Sequence, residues 1–229
     1  SQVSHDQTGR REPASLTKPS TRAILITILG GLLLSGCQDF FLYHPTTADE
    51  AALLSRARQK GLEPWPGPGE ERMGWHAPVT AGEKGRRVII FHGNGGQAVD
   101  RDHYARGFQG PRARGNWDVY ILEYPGYGSR PGKPSETAFI NAAREGVEYL
   151  LREEPGEPLY VIGTSLGSGV ASQIAAAYPD TAPAVLLITP FTNVVDVGAS
   201  SFPRFLVRML LKDRYDNEKA LSEYPGRVG

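Results

Sequence analysis

The chain has 229 residues, and 40% of them are hydrophobic, which is enough for one sizeable packed domain. Its 25 basic and 25 acidic residues balance, so charge gives no support for a nucleic-acid partner. The single cysteine, Cys37, excludes an intramolecular disulfide. Function therefore has to be inferred from motifs and their order along the chain.

The first 36 residues have the pattern of a targeting segment. Residues 1–22 are polar with an excess of arginine and lysine, and the uncharged run Ala23–Gly36 follows them. A basic region, a short apolar region and small residues at its end are typical of a secretory signal peptide. The run has 14 residues, fewer than the roughly 20 that a membrane-spanning helix needs.

The end of this segment, LSGC at Leu34–Cys37, resembles the bacterial lipobox. That resemblance implies that Cys37 is lipidated after removal of residues 1–36. We therefore expect a protein anchored by lipid to a membrane of the bacterial cell envelope, with the outer membrane favoured. An uncleaved membrane anchor and a plain core helix remain as alternatives.

Residues 37–85 form a region of predicted amino-terminal strands and linker. A strand is predicted to begin within FFLYHP, and a helix to cover Ala48–Gly61. The stretch EPWPGPGEE is typical of Pro/Gly turns, and ERMGWHAPV of a half-buried strand.

From residue 86 to residue 229 the pattern indicates one domain in which strands and helices alternate. Short runs rich in β-branched residues predict buried strands, and helical spacing of apolar residues predicts helices, one of them capped by Ser135. Such alternation indicates an α/β fold with a mostly parallel sheet. The predicted strands are Arg86–Gly93, Trp117–Tyr124, Leu159–Thr164 and Ala182–Thr189; the predicted helices are Ala98–Gln109, Pro134–Glu154, one from Leu166 to Pro179, and two or three short ones in the tail Phe191–Gly229.

The sequence GTSLG, at Gly163–Gly167, matches G-x-S-x-G between a predicted strand and a predicted helix. This is the context of a nucleophile elbow, in which the serine stands clear at the carboxyl edge of the sheet. We therefore predict Ser165 as the nucleophile. The N–H of Leu166, at the start of the helix, is a predicted oxyanion donor.

A second donor is expected from the loop after an earlier strand. FHGNGG supplies such a loop, and the backbone N–H of Asn94 is the predicted donor. Gly93 lets the backbone turn toward the site. His92 is expected to support the loop by hydrogen bonding to backbone.

With these motifs, the chain from about Arg86 to Ala199 resembles the α/β-hydrolase superfamily, in the branch of membrane-associated esterases and depalmitoylating thioesterases. The matching stretches are FHGNGG, LEYPGYGSRPGKPSE, GTSLGSG, LLITPFTNVVDV and LLKDRYDN. The resemblance implies an eight-stranded, mostly parallel sheet. It also implies hydrolysis of an ester, thioester or amide through an acyl-serine, with a small-molecule or acyl substrate.

In this fold the acid and the histidine of the triad follow the serine, but all five histidines precede Ser165. Three explanations stay open: a carboxy-terminally truncated hydrolase that is inactive or weak, a non-catalytic binding or structural lipoprotein, and recruitment of another base such as His92. Truncation would leave the strand VLLI at the sheet edge and favour poor solubility.

No cofactor, metal or nucleic acid is expected. No G-x-G-x-x-G opens a helix in the required place, and no Cys, His and Asp cluster has metal-ligand spacing. Tyr124, Tyr127 and Arg130 follow the second strand of the regular part, where they either line a substrate pocket or pack within a turn.

Overall fold

The computed structural model describes residues 42–66, 71–79, 83–193 and 212–229. Within these ranges seven strands form one sheet in the order β1-β2-β4-β3-β5-β6-β7. Strands β3 to β7 run parallel, and β1 and β2 add an antiparallel hairpin beside β4. The strands are β1 (Glu63–Trp65), β2 (Gly74–Ala77), β3 (Arg86–Phe91), β4 (Trp117–Leu122), β5 (Leu159–Thr164), β6 (Ala184–Ile188) and β7 (Arg227–Val228).

The helices lie on both faces of the sheet, which confirms the predicted α/β class. The Ser135 hydroxyl accepts a hydrogen bond from the Ala138 N–H at 3.1 Å, the cap that the sequence predicts. The helices are α1 (Glu50–Gln59), a 3₁₀ turn (Ala98–Arg101) that continues into α2 (Asp102–Gln109), α3 (Glu136–Glu153), α4 (Leu166–Ala177) and α5 (Asn217–Leu221).

Two apolar cores sandwich the sheet because side chains alternate along each buried strand. Ile89 and Phe91 of β3 point to the core under α3 and α4. Val88 and Ile90 point to the core under α1 and α2. This arrangement fixes the carboxyl ends of β3, β5 and β6 side by side at one edge of the sheet.

The sequence predictions fail where elements are very short. Residues 63–65, predicted as part of a turn, form β1, and Leu42–Ala48 forms no strand beyond an isolated bridge between Thr47 and Gly128. The sequence predicts a helical tail, but the described part of the tail contains α5 and the two-residue strand β7. Such elements are too short to show any periodicity.

The prediction that β6 lies at the sheet edge is also wrong, because β7 pairs with Ala184 and Val185. Residues 1–36, Cys37 and residues 194–211 lie outside the described residues. Of the helices that the structure does describe, none is long and apolar enough to cross a bilayer.

Candidate active site

Ser165 lies at the turn between β5 and α4, at the carboxyl edge of the sheet, and its side chain is exposed. Its backbone has φ 50° and ψ −118°, a conformation that costs a non-glycine residue on the order of 1–3 kcal/mol. The Ser165 N–H donates to the Ile188 carbonyl at 2.9 Å, so the end of β6 holds this strained turn. The arrangement projects the hydroxyl away from the packed core.

The glycines on either side of Ser165 are required by close approach. A Cβ at Gly167 would overlap the Phe91 carbonyl oxygen and lie 2.6 Å from that of His92. A Cβ at Gly163 would lie 2.5 Å from the Ala171 Cβ. Helix α4 can therefore start directly against β3 and β5 only because these two positions lack side chains.

The loop after β3 reaches the same point. A Cβ at Gly93 would lie 3.2 Å from the Thr164 carbonyl oxygen and 3.4 Å from the Ser165 Cβ. Leu166 is the first residue of α4, so its N–H has no acceptor within the helix. The structure thus brings Ser165, Leu166 and the Gly93–Asn94 backbone together at one edge.

Both polar atoms of the Asn94 side chain form hydrogen bonds that hold this loop in place. Its Nδ2 donates to the Leu42 carbonyl at 2.7 Å. Its Oδ1 accepts from the His44 N–H at 2.9 Å, the Gly95 N–H at 3.0 Å and the Tyr127 hydroxyl at 2.9 Å. The side chain of Asn94 is thus used in holding the loop, and the backbone N–H of Asn94 stays the predicted oxyanion donor.

His92 is completely buried in the wall behind the loop. Its Nδ1 lies 2.7 Å from the Gly93 carbonyl oxygen, and its Nε2 lies 3.6 Å from a carboxylate oxygen of Glu123. Its ring packs on Tyr124 with a centroid distance of 4.5 Å. The Nδ1 contact suits the predicted support of the loop, whereas the buried Nε2 forms no hydrogen bond with the described residues.

Tyr124, Tyr127 and Arg130 are buried. Of the two interpretations of these residues, lining a substrate pocket or packing within a turn, the structure therefore shows packing within a turn. The Tyr124 hydroxyl donates to the His92 carbonyl at 2.9 Å, and Arg130 donates to the Glu123 carbonyl at 2.8 Å. Burial raises the pKa of Tyr127 to about 12, so its hydroxyl stays protonated and keeps donating to Asn94 at ordinary pH.

Sequence reasoning missed Glu123, a fully buried carboxylate. It accepts from the Ala98 N–H at 3.1 Å and 3.2 Å, which ties the far end of the loop to the end of β4. A charged residue directly after the apolar run of a buried strand was the available signal, because buried charges need specific partners.

The segment 42–48 is the second missed part of the site. Besides its bonds to Asn94, it carries Thr46, whose carbonyl accepts from Gln97 Nε2 at 3.1 Å and from the Gly128 N–H at 2.9 Å. Tyr43 is buried and donates to Asp213 at 2.6 Å. Nothing in the local sequence signals this packing, because every partner lies at least 50 residues away.

His44 belongs to the segment 42–48 beside the loop. The other two described histidines lie away from Ser165. His76 is on β2 and its Nε2 lies 2.9 Å from Asp118, at the amino end of β4. His103 is on α2 and packs on Tyr104. Among the described residues, no group of three or more His, Cys, Asp or Glu side chains is arranged to hold a metal ion.

Residues 86–222 match the family model of the alpha/beta hydrolase fold. An uncharacterised protein of Mycobacterium tuberculosis is 35% identical over 144 residues, which cover 62% of this chain and 49% of that protein. Lysophosphatidylserine lipase ABHD12 of Gallus gallus is 30% identical over 153 residues, which cover 66% of this chain and 36% of the lipase. Protein bem46 of Schizosaccharomyces pombe is 33% identical over 51% of this chain and 38% of its own length. The chain thus spans half or less of these curated relatives.

Solved structures share the fold. An alpha-beta hydrolase from Vibrio vulnificus superposes with a TM-score of 0.60 at 20% identity, covering 98% of this chain and 79% of that one. Est1E from Butyrivibrio proteoclasticus, with ferulic acid bound, gives a TM-score of 0.54 at 16% identity over 67% of this chain and 71% of its own. The family match covers more than half of the sequence and the sheet agrees with it, so this chain belongs to the alpha/beta hydrolase family.

Proposed function

We propose that the protein is a serine hydrolase that cleaves ester, thioester or amide bonds through an acyl-serine. The observation that carries this proposal is the strained, exposed Ser165, held against Gly93 of the neighbouring loop. A strained backbone at a serine between close-packed glycines is a feature of nucleophile elbows, and packing of the core alone does not require such strain.

The proposed chemistry follows from the position of the groups. The Ser165 oxygen attacks the substrate carbonyl, and the N–H groups of Leu166 and Asn94 stabilise the negative charge on the carbonyl oxygen. Each such donor typically contributes about 10²–10³ in rate. The bond from the carbonyl carbon to the leaving group breaks, and the leaving group takes up the proton that the Ser165 hydroxyl gives up. Water then cleaves the acyl-serine, which releases the carboxylic acid and restores the hydroxyl.

The positions of the histidines give no support for a general base beside Ser165. All five histidines precede Ser165 in the sequence, and the His92 ring is enclosed by Gly93, Glu123 and Tyr124. A serine without an adjacent base is a weak nucleophile. We therefore propose that residues 1–229 by themselves react slowly.

We propose further that the protein acts at the cell envelope, anchored through lipid on Cys37, and that its substrate is an acyl compound. The uncharged run before LSGC supports the anchor. The activity by which the ABHD12 relatives are named, lysophosphatidylserine lipase, supports an acyl substrate at low identity.

A fluorophosphonate probe tests the hydrolase proposal. We expect slow labelling of one residue, identified as Ser165 by mass spectrometry, and loss of labelling in Ser165→Ala. Ser172→Ala is the matched control on the same helix, because Ser172 is buried and its hydroxyl has no described partner. Labelling of the control should equal that of the unmodified protein.

Labelling at the rate of ordinary serine hydrolases would contradict the proposed lack of a base. Absence of labelling after long incubation, with the fold intact, would instead favour a non-catalytic binding or structural lipoprotein.

A further inference from the structure

We propose that Glu123 is a positioning residue for the oxyanion donor, and that it acts on the Asn94 N–H through the buried ring of His92. In this arrangement the Glu123 carboxyl group and the His92 ring share one proton, and the His92 Nδ1–H fixes the peptide unit between Gly93 and Asn94. The inference deepens the proposed hydrolase function, because the role of the Asn94 N–H rests on that function. It also gives a role to a buried carboxylate that the proposed chemistry leaves unused.

The first step concerns the hydrogen on His92 Nδ1. This nitrogen lies 2.7 Å from the Gly93 carbonyl oxygen, which is a hydrogen-bonding distance. A carbonyl oxygen can only accept a hydrogen bond, so the nitrogen must carry the hydrogen and donate it. His92 is completely buried, so water does not compete for this hydrogen. Nδ1 is therefore protonated in every state of the ring that this contact allows.

The acceptor of this bond belongs to the same peptide unit as the predicted oxyanion donor. The Gly93 carbonyl and the Asn94 N–H lie in one plane, and in a trans peptide they point in opposite directions. A ring that holds the carbonyl from the buried side therefore turns the Asn94 N–H away from the core. A hydrogen bond to the carbonyl also polarises the N–H at the other end of the unit. The direction and the strength of this donor thus both depend on His92.

The second nitrogen of the ring faces Glu123. His92 Nε2 lies 3.6 Å from a carboxylate oxygen of Glu123, and both side chains are fully excluded from solvent. An ionised carboxylate can only accept, and a neutral ring with its hydrogen on Nδ1 also presents only a lone pair at Nε2. Two acceptors that face each other in a dry interior repel, and each has lost the hydrogen bonds that water would give it. One proton shared between the two groups removes this conflict, whichever of them carries it.

Backbone groups hold the Glu123 carboxylate in this position. It accepts from the Ala98 N–H at 3.1 Å and 3.2 Å, and a Cβ at Gly128 would lie 2.5 Å from one of its oxygens. The arginine beside Glu123 pairs with a different carboxylate, since Arg130 donates to the Glu123 backbone carbonyl and forms its ion pair with Glu145 at 2.9 Å. The carboxylate therefore contacts both ends of the loop 92–98, through the buried ring at the beginning and through the backbone at the end.

The same proton positions prevent His92 from acting as the base for Ser165. A base needs a bare nitrogen within hydrogen-bonding reach of the hydroxyl. Nδ1 carries a hydrogen that it donates to Gly93, and Nε2 is directed at the buried Glu123. His92 therefore contributes by fixing the loop and not by accepting the serine proton.

Nuclear magnetic resonance measures the proton positions without any reaction. In the full chain labelled with heavy isotopes of carbon and nitrogen, the His92 ring nitrogens and the Glu123 carboxyl carbon are assigned through their bonds to the backbone, and their chemical shifts report protonation. We expect a protonated Nδ1 together with one proton on either Nε2 or the carboxyl group. A bare Nδ1 would overturn the proposal, and so would a bare Nε2 beside an ionised carboxylate.

Two substitutions of similar size separate these contacts from the filling of space. Glu123→Gln keeps an oxygen that can accept from Ala98 and an N–H that can donate to His92 Nε2, whereas Glu123→Met removes both. Glu153→Met is the matched control, because Glu153 is exposed at the end of α3. We expect the amide signal of Asn94 to shift in Glu123→Met and to stay nearly unchanged in Glu123→Gln and in the control.

Fluorophosphonate labelling of Ser165 tests the consequence for reactivity. We expect Glu123→Met to lower the labelling rate at saturating probe by at least about tenfold with little change in the half-saturating concentration, because an oxyanion donor acts on the transition state. Glu123→Gln should stay within about threefold of the unmodified protein, and Glu153→Met should equal it. A Glu123→Met variant that keeps both its rate and its Asn94 signal would overturn the proposed role, and so would a Glu123→Gln variant that loses as much.

Failure of this proposal can be distinguished from failure of the hydrolase function. If the unmodified protein is not labelled at all, the hydrolase proposal fails, while the Asn94 amide and the His92 nitrogens still decide the role of Glu123. If labelling is equally fast in all variants, the hydrolase proposal stands and the role of Glu123 is refuted. The measurement of the proton positions uses the unmodified protein, so it also decides the case in which Glu123→Met does not fold.

Discussion

At the scale of single residues, the site depends on the absence of side chains at two glycines as much as on Ser165. Gly163 and Gly167 let α4 begin against β3 and β5, while the Ile188 carbonyl holds the Ser165 N–H at 2.9 Å. The strain at Ser165 is thus maintained by packing on three strands and is not a local preference of the turn.

The two helical glycines Gly167 and Gly107 should respond in opposite ways to alanine. Gly107→Ala should stabilise the protein by about 0.5–1 kcal/mol, because nothing lies within 4 Å of the new methyl group. Gly167→Ala should destabilise it by at least about 2 kcal/mol, because the methyl group meets the carbonyls of Phe91 and His92.

Urea unfolding followed by circular dichroism measures both free energies. A stabilising Gly167→Ala would show that α4 can withdraw from β3, and the close packing assigned to the elbow would then be wrong.

Residues with local signals could be predicted from the sequence, and residues defined by distant partners could not. Ser165, Gly163, Gly167 and the loop at Asn94 were found because strand, turn and helix follow one another within a few residues. Glu123 and Tyr43 were missed because their roles depend on contacts across the fold, such as the pair Tyr43–Asp213, 170 positions apart. Sequence reasoning therefore located the strand–turn–helix unit at Ser165 and the loop beside it, but not Glu123 and Tyr43, which support them from across the fold.

At the scale of elements, the joint between the antiparallel hairpin and the parallel sheet is a polar cluster. His76 on β2 lies 2.9 Å from Asp118 on β4, and the Val79 N–H donates to the same oxygen at 3.1 Å. The His76 ring also stacks on Tyr120 at 4.2 Å. The hairpin is therefore attached by backbone pairing and by this carboxylate.

Asp118 should make this joint sensitive to acid. Burial opposes its ionisation, but the bonds from His76 and Val79 outweigh burial and lower its pKa below the ordinary value for an aspartate. A lowered carboxyl pKa contributes stability that is present above the unfolded value and is lost as the pH falls through the folded one.

We therefore expect Asp118→Asn to be less stable than the unmodified protein by about 1–2 kcal/mol at pH 7, with the difference shrinking below about pH 4. Asp180→Asn, at an exposed turn, is the control and should change little. Thermal unfolding across this pH range gives the comparison. A difference that stays constant down to about pH 2 would contradict the role assigned to the carboxylate.

At the scale of the whole molecule, one face of the sheet is incompletely covered in the part of the chain that the structure describes. A groove of about 300 Å³ runs along β5, β6 and β7, lined mainly by apolar side chains. Leu186 is 43% exposed and Val228 is 53% exposed. Apolar surface of this kind beside a short edge strand favours self-association.

Replacing both Leu186 and Val228 with lysine should therefore reduce self-association with little change in stability. Val185→Lys is the matched control on β6, because Val185 is buried and its replacement should unfold the protein. Sedimentation velocity measures association, and melting temperature measures stability. A large fall in the melting temperature of the double variant would mean that Leu186 and Val228 are packed against other residues, and it would contradict this prediction.

The contact between Tyr43 and Tyr215 links the beginning and the end of the described chain. Their hydroxyls lie 3.0 Å apart although 172 positions separate them, and the Tyr215 side chain also packs closely against Gly169 of α4. A ribosome or an export channel delivers residue 43 long before residue 215. The Tyr43 hydroxyl therefore gains this partner only after a further 172 residues have been delivered. The bonds that join Leu42 and His44 to Asn94 can form before that point, so the amino-terminal segment acquires its contacts in two stages.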